Sequence, residues 1–105
     1  MSGYLVASVK WNDADAASRY YHMVVDSLKP FNGKYLARGA PAATLEGDDV
    51  PARLAIIEFP TVEHASRWHV SDEYAPARQV RERFADTYWI IVMEHLAQLA
   101  TAKRA

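Results

Sequence analysis

Arg38 and Glu58 are the two side chains whose positions most invite a chemical reading. Each lies near the end of a stretch that reads as a central β-strand, where a charge is avoided unless it is paired or points into a cavity. A guanidinium in such a place can hold a carboxylate, enolate or similar anionic group of a small ligand, while the carboxylate orients the ligand or moves a proton. The plainer alternative is an ion pair across the sheet or across a subunit seam. Tyr74, Arg78 and Arg81 form a second group, spaced i, i+4 and i+7. A helix would gather this phenol and these two guanidinium groups on one face as an anion-facing rim, unless the face is merely solvated with Glu73 and Glu82 as partners. Ala77, Val80 and Phe84 would share another face and pack inward. His69, beside Trp68 and near Tyr74, is a candidate acid or base because imidazole titrates near neutrality. His69 and Tyr74 are therefore the two candidate catalytic residues, and Arg38, Glu58, Tyr74, Arg78 and Arg81 the candidate ligand-binding ones.

Other chemistries find little support. His22, His64, His69 and His95 include no pair at the i, i+4 spacing of a helical zinc site, and there is no HExxH. With no cysteine there is no thiolate ligand, nucleophile or disulfide, which suits a reducing cytoplasm. No glycine-rich phosphate loop, GxSxG elbow or nucleotide fingerprint occurs, so neither a metal nor an organic cofactor is expected. Trp11, Trp68 and Trp89, with Tyr20, Tyr21 and Tyr35, have the spacing of core or pocket-wall residues. Twelve basic against thirteen acidic side chains leave a formal charge of −1, which provides no field to draw the chain onto nucleic acid or an anionic bilayer. The longest apolar run, Tyr88 to Met93, is far short of the roughly 20 residues that span a membrane.

These residues need elements to hold them. At 105 residues, half of them hydrophobic, the chain suits one folded domain. Tyr4 to Trp11 reads as a strand, and Asp13 caps a helix to about Leu28 whose Ala17, Tyr20, Tyr21, Val24 and Leu28 share a face. Lys34 to Ala40 and Arg53 to Phe59 read as strands joined by a long acidic loop. Thr61 caps a helix through Trp68; a break follows near Ser71-Asp72, then a helical turn with Pro76 at its start, and Thr87 to Glu94 is the last strand. The tail from His95 to Ala105 is compatible with a helix that nothing in the sequence fixes.

A shift of 48 residues lays Val6–Trp11 on Leu54–Phe59, Asp13 on Thr61, and Ala17–Tyr20 on Ala65–Trp68. Strand, helix, strand, strand, helix, strand is the order of the ferredoxin-like α+β fold, a four-stranded antiparallel sheet with its helices on one face. Both parities of the strands are apolar: Leu5, Ala7 and Val9 alternate with Tyr4, Val6 and Ser8, and Trp89, Ile91 and Met93 with Tyr88, Ile90 and Val92. Helices cover one face only, so a homodimer through the sheet faces is the simplest cover for the other, with a fold-back of the tail as the alternative.

Gly3-Tyr4, Tyr35-Leu36-Ala37-Arg38-Gly39, Glu46-Gly47, Glu58-Phe59-Pro60, and Ser71-Asp72-Glu73-Tyr74 with Trp68 and Arg81 form an ordered set of segments. Together they resemble domain-of-unknown-function family 1330. The resemblance runs from about Gly3 to Glu94, the extent expected for the domain (residues 1–94, with the tail 95–105 beyond it). It departs at Phe31-Asn32, at Ala40 and at His69, where the family has glycines and a tyrosine. It implies a dimeric α/β barrel and no established activity. Three functional expectations follow: a module binding a small organic acid or aromatic molecule between sheet and helices, a cofactor-independent enzyme of monooxygenase or isomerase type, or a structural self-association domain.

Overall fold

A computed structural model describes residues 2–40, 42–48 and 53–95. The tail after His95 and part of the acidic loop lie outside the described residues. Strand β1 (Gly3–Trp11) leads into helix α1 (Ala14–Leu28) through Asp13, whose Oδ1 accepts the Ala16 N–H at 3.0 Å. A 3₁₀ turn at Lys29–Phe31 carries Pro30 and ends on Asn32 in the left-handed region (φ 55°), which reverses the chain into β2 (Lys34–Ala40). Strand β3 (Arg53–Phe59) is followed by α2 (Val62–His69), which Thr61 caps by accepting the His64 N–H at 3.0 Å. Helix α3 (Ala75–Phe84), with a proline in its first turn, runs directly into β4 (Ala85–Glu94).

The sheet order is β2-β3-β1-β4, antiparallel throughout, which is the ferredoxin-like βαββαβ topology expected from the element order. Leu5, Ile57 and Phe59 from the two central strands meet Val24 and Leu28 of α1 and Trp68 of α2 in one core. The Trp68 indole N–H donates to Ser27 Oγ at 2.9 Å, and that hydroxyl donates to the Val24 carbonyl, so the polar end of a 2 % exposed side chain is satisfied inside the helix layer.

Among the described residues no helix lies on the other sheet face. Paired residues place Tyr4, Val6 and Ser8 of β1 beside Ile56 and Leu54 of β3 and Trp89, Ile91 and Met93 of β4. The three β4 side chains are 42, 48 and 49 % exposed. Trp89 thus belongs to the uncovered face, not to the core or the pocket wall where its spacing had placed it. No helix among the described residues is long and apolar enough to cross a membrane.

Two register shifts bear on the site. Tyr35 pairs with Ile57 but Ala37 with Ile56, so Leu36 is an extra residue; Gly39 is another, between Arg38 opposite Ala55 and Ala40 opposite Leu54. The first bulge inverts the alternation of β2 and brings Arg38 onto the same side as Tyr35, toward the helices.

Candidate functional site

Between the sheet and the helices, aromatic side chains from several elements enclose a cavity. Tyr20 and Tyr21 come from α1, Tyr35 from β2 and Trp11 from the end of β1, with Trp68 and Tyr74 closing it from the α2–α3 side. Its floor is aliphatic, including Ala7, Ala55 and Ile90, and Gly39 and Arg53 lie in its wall. The cavity holds about 30 Å³ as it stands, enough for ordered water and smaller than a site for a ring-sized molecule. Gly39 has φ +64°, a left-handed conformation that favours glycine, and the Tyr21 hydroxyl occupies the space beside it where a Cβ would lie.

Ser71 positions the deepest wall residue. Its Oγ donates to the Trp68 carbonyl at 2.8 Å and accepts the Tyr74 N–H at 3.1 Å, which ties the end of α2 to the start of α3. Tyr74 is fully buried, with its ring 4.0 Å from that of Trp68. Its hydroxyl lies 2.7 Å from the Tyr20 hydroxyl and accepts the Arg81 Nε–H at 3.2 Å. Arg81 is only 6 % exposed, and its Nη1 also donates to Thr87 Oγ1 at the start of β4. Burial pushes the Tyr20 phenol well above its ordinary range, as does the neighbouring Tyr74, so Tyr20 stays protonated. Burial raises Tyr35 and Tyr21 as well; Arg38 and Arg53 oppose the shift at Tyr21.

The structure separates the residues the sequence singled out. Arg38 is exposed on the helix side with its guanidinium 5.5 Å from the Tyr21 ring centre, a cation–π contact beside the aromatic wall. Glu58 lies on the opposite face, where it pairs with Lys34 at 3.4 Å. The two do not meet. Tyr74 and Arg81 do meet, inside the protein and not on a rim, while Arg78 donates to the His69 carbonyl at 3.3 Å. His69 lies with its ring 6.0 Å from that of Tyr74 and lines a separate open groove of about 290 Å³ with Leu5, Ala65 and Val92. Burial, then Arg81 and Arg78, lower its pKa. The remaining histidines are dispersed: His22 is exposed, His64 Nδ1 is 2.7 Å from Thr61 Oγ1, and His95 Nδ1 is 2.8 Å from the Tyr4 hydroxyl. Among the described residues no three His, Asp or Glu side chains are grouped to hold a metal.

Arg53 escaped the sequence reading. Its Nη1 donates to the Gly39 carbonyl at 3.2 Å, which holds its guanidinium across β2 at the cavity wall. The available signal was a cation opening a strand whose next four residues, Leu54 to Ile57, are apolar.

The architecture is that of small dimeric ferredoxin-like proteins. One such protein of unknown function from Jannaschia sp. CCS1 superposes with a TM-score of 0.62 at 11 % identity, over 90 % of this chain and 100 % of that one. A protein of unknown function from Rhodopseudomonas palustris superposes with a TM-score of 0.68 at 17 % identity, over 90 % and 82 % of the two chains. SnoaB, a cofactor-independent oxygenase from Streptomyces nogalater, gives 0.56 at 9 % identity, over 90 % and 92 %. Residues 2–95 match the family described as domain of unknown function DUF1330, and the chain belongs to it. Among curated proteins no sequence match is found.

Proposed function

We propose that this protein is a homodimeric binding module for a small aromatic acid, held between sheet and helices. The observation that carries the reading is the aromatic cavity with the guanidinium of Arg53 in its wall and that of Arg38 against Tyr21 at its side. Walls of tilted and edge-on rings favour a planar aromatic ligand, and the two cations favour an anionic substituent. Tyr21 is half-buried, and because the space as it stands holds only ordered water, a ring-sized ligand requires the Tyr21 and Arg38 side chains to move outward. Tyr74 and Arg81 serve this site from within, His69 lines the separate groove with Arg78 on its carbonyl, and Glu58 belongs to the other face. The dimer is supported by the uncovered apolar face and by the relatives described as dimeric.

Binding is favoured over catalysis because the described cavity residues offer phenols and a guanidinium, but no carboxylate or imidazole as a base. The test is thermal denaturation with benzoate and 2-naphthoate against benzyl alcohol. The acids are expected to raise the Tm of the wild type, with the shift halved or lost in Arg53→Ala and Arg38→Ala. An equal response to acid and alcohol, or full shifts in both variants, would refute the proposal.

A further inference from the structure

The hydroxyl chain ending at Tyr20 has a direction, set by counting protons. Tyr74 Oη already accepts from Arg81 Nε, and it shares a 2.7 Å hydrogen bond with Tyr20 Oη. Each phenol has one proton. If Tyr20 donated to Tyr74, then Tyr74 would accept twice, and its own proton would need a further acceptor at a fully buried position where the described contacts of its oxygen are Tyr20 and Arg81. If Tyr74 donates to Tyr20, every proton within the protein is satisfied, and the Tyr20 proton is left for whatever fills the cavity. The positive charge of Arg81 at the buried end favours the same polarity, because each O–H dipole then points its hydrogen away from the cation.

Arg81 adds a second observation. Among the described residues no carboxylate lies within ion-pair distance of it; Glu82, next in the helix, is exposed. A 6 % exposed guanidinium whose hydrogen bonds go to neutral hydroxyls leaves a net positive potential at the inner end of the cavity.

We propose that Arg81, acting through Tyr74, fixes Tyr20 as a hydrogen-bond donor into the cavity, so that the ligand places a phenolate or enolate oxygen against Tyr20. This rests on the cavity reading above and deepens it: the inner end recognises a charge delocalised onto an oxygen of a conjugated ring or enol, while Arg38 and Arg53 face the outer end. Arg81 and Tyr74 are positioning residues; Tyr20 makes the contact. The charged and titratable groups around Tyr20 are Tyr74 just before α3, Arg81 of α3, Tyr21 from its own helix, and Tyr35 from β2, with Arg38 beyond the Tyr21 ring. Arg53 of β3 shares the cavity wall.

The probe is 4-nitrophenol, whose ionised and neutral forms absorb at different wavelengths, with 4-nitroanisole as a ring that cannot ionise. The wild type is expected to bind the phenolate at least about tenfold more tightly than the phenol, which lowers the pKa of the bound probe by about one unit. Tyr20→Phe and Tyr74→Phe should reduce that preference to about threefold or less, the residue due to Arg38 and Arg53. In every variant the preference is read relative to the affinity for 4-nitroanisole, which reports ring binding alone. Arg81→Gln, which keeps an N–H donor and removes the charge, should fall between. Equal binding of both forms by the wild type, or an undiminished preference in Tyr20→Phe, would overturn the assignment while leaving the cavity as a binding site. Absence of saturable binding of both probes would overturn the cavity reading and this inference with it.

Discussion

The substitution Ile91→Thr asks whether the uncovered face is an interface. Ile91 sits between Trp89 and Met93 on that face and is 48 % exposed in the single chain. Full burial of an isoleucine contributes about 1.5–3 kcal/mol, so about 1 kcal/mol remains to be gained when a partner covers the exposed half. A two-fold interface contains the residue twice, which makes the loss about 2 kcal/mol per dimer, or about 30-fold in the dimer dissociation constant. Adding Met93→Thr doubles the loss and takes the change to about a thousandfold. Threonine keeps the β-branch, so the strand itself should be little disturbed. Val70→Thr is the control, since Val70 is 69 % exposed at the end of α2, away from that face. Sedimentation velocity over a dilution series should show a wild-type dimer at micromolar concentration, an unchanged Val70→Thr, and a dissociating double variant with an unaltered circular dichroism spectrum. A monomeric wild type, or a double variant as tight as the wild type, would refute the argument.

Ser27→Ala removes the acceptor of the buried Trp68 indole N–H and should lower stability by about 1–3 kcal/mol, read as a reduced urea midpoint at unchanged slope. The His69 imidazole is held below its ordinary range by burial and by Arg81 and Arg78, so the unfolded chain takes up a proton at a higher pH than the folded one. Stability tied to this group is therefore intact above about pH 6.5 and is lost as the pH falls through the range below it. Urea midpoints of the wild type should drop more steeply from about pH 7 to pH 5 than those of His69→Gln; parallel curves would contradict the assignment.

The elements were legible because their signals are local. Asp13 and Thr61 cap the helices they were read to cap, and Pro76 sits in the first turn of the helix it announced. Strand β4 begins at Ala85, two residues before the expected Thr87, because α3 passes into it with no glycine, proline or turn residue between. Faces were harder. Strict alternation would leave Arg38 with Lys34 on the open side, and only the extra residue at Leu36, a property of pairing with β3, turns it toward the helices. Arg81 was read as part of a polar face by helical spacing alone. Its burial depends on Tyr74 and on Thr87 of the following strand, partners that spacing within one helix cannot reveal.

The 48-residue correspondence explains why the site sits where it does. It lays Tyr20 of α1 on Trp68 of α2, and both rings contact the same residue: Tyr74 is 4.0 Å from Trp68 and 6.3 Å from Tyr20, centre to centre. The two strand–helix units therefore present matching aromatic positions across the middle of the helix layer. A perfect repeat would bring them together as an apolar contact. Helix α3 has no counterpart in the first unit; it inserts the Tyr74 ring at that seam and brings Arg81 behind it. At the matching aromatic position, Tyr20 carries a hydroxyl that can meet Tyr74, whereas the Trp68 N–H is directed to Ser27 within the core. The polar chain thus runs toward the α1 half alone, and that is the half in which Tyr21, Tyr35 and the bulged β2 leave open space. On this account, removing the Tyr20 hydroxyl should change what the cavity binds, while removing the Ser27 hydroxyl should change only how firmly the chain is folded.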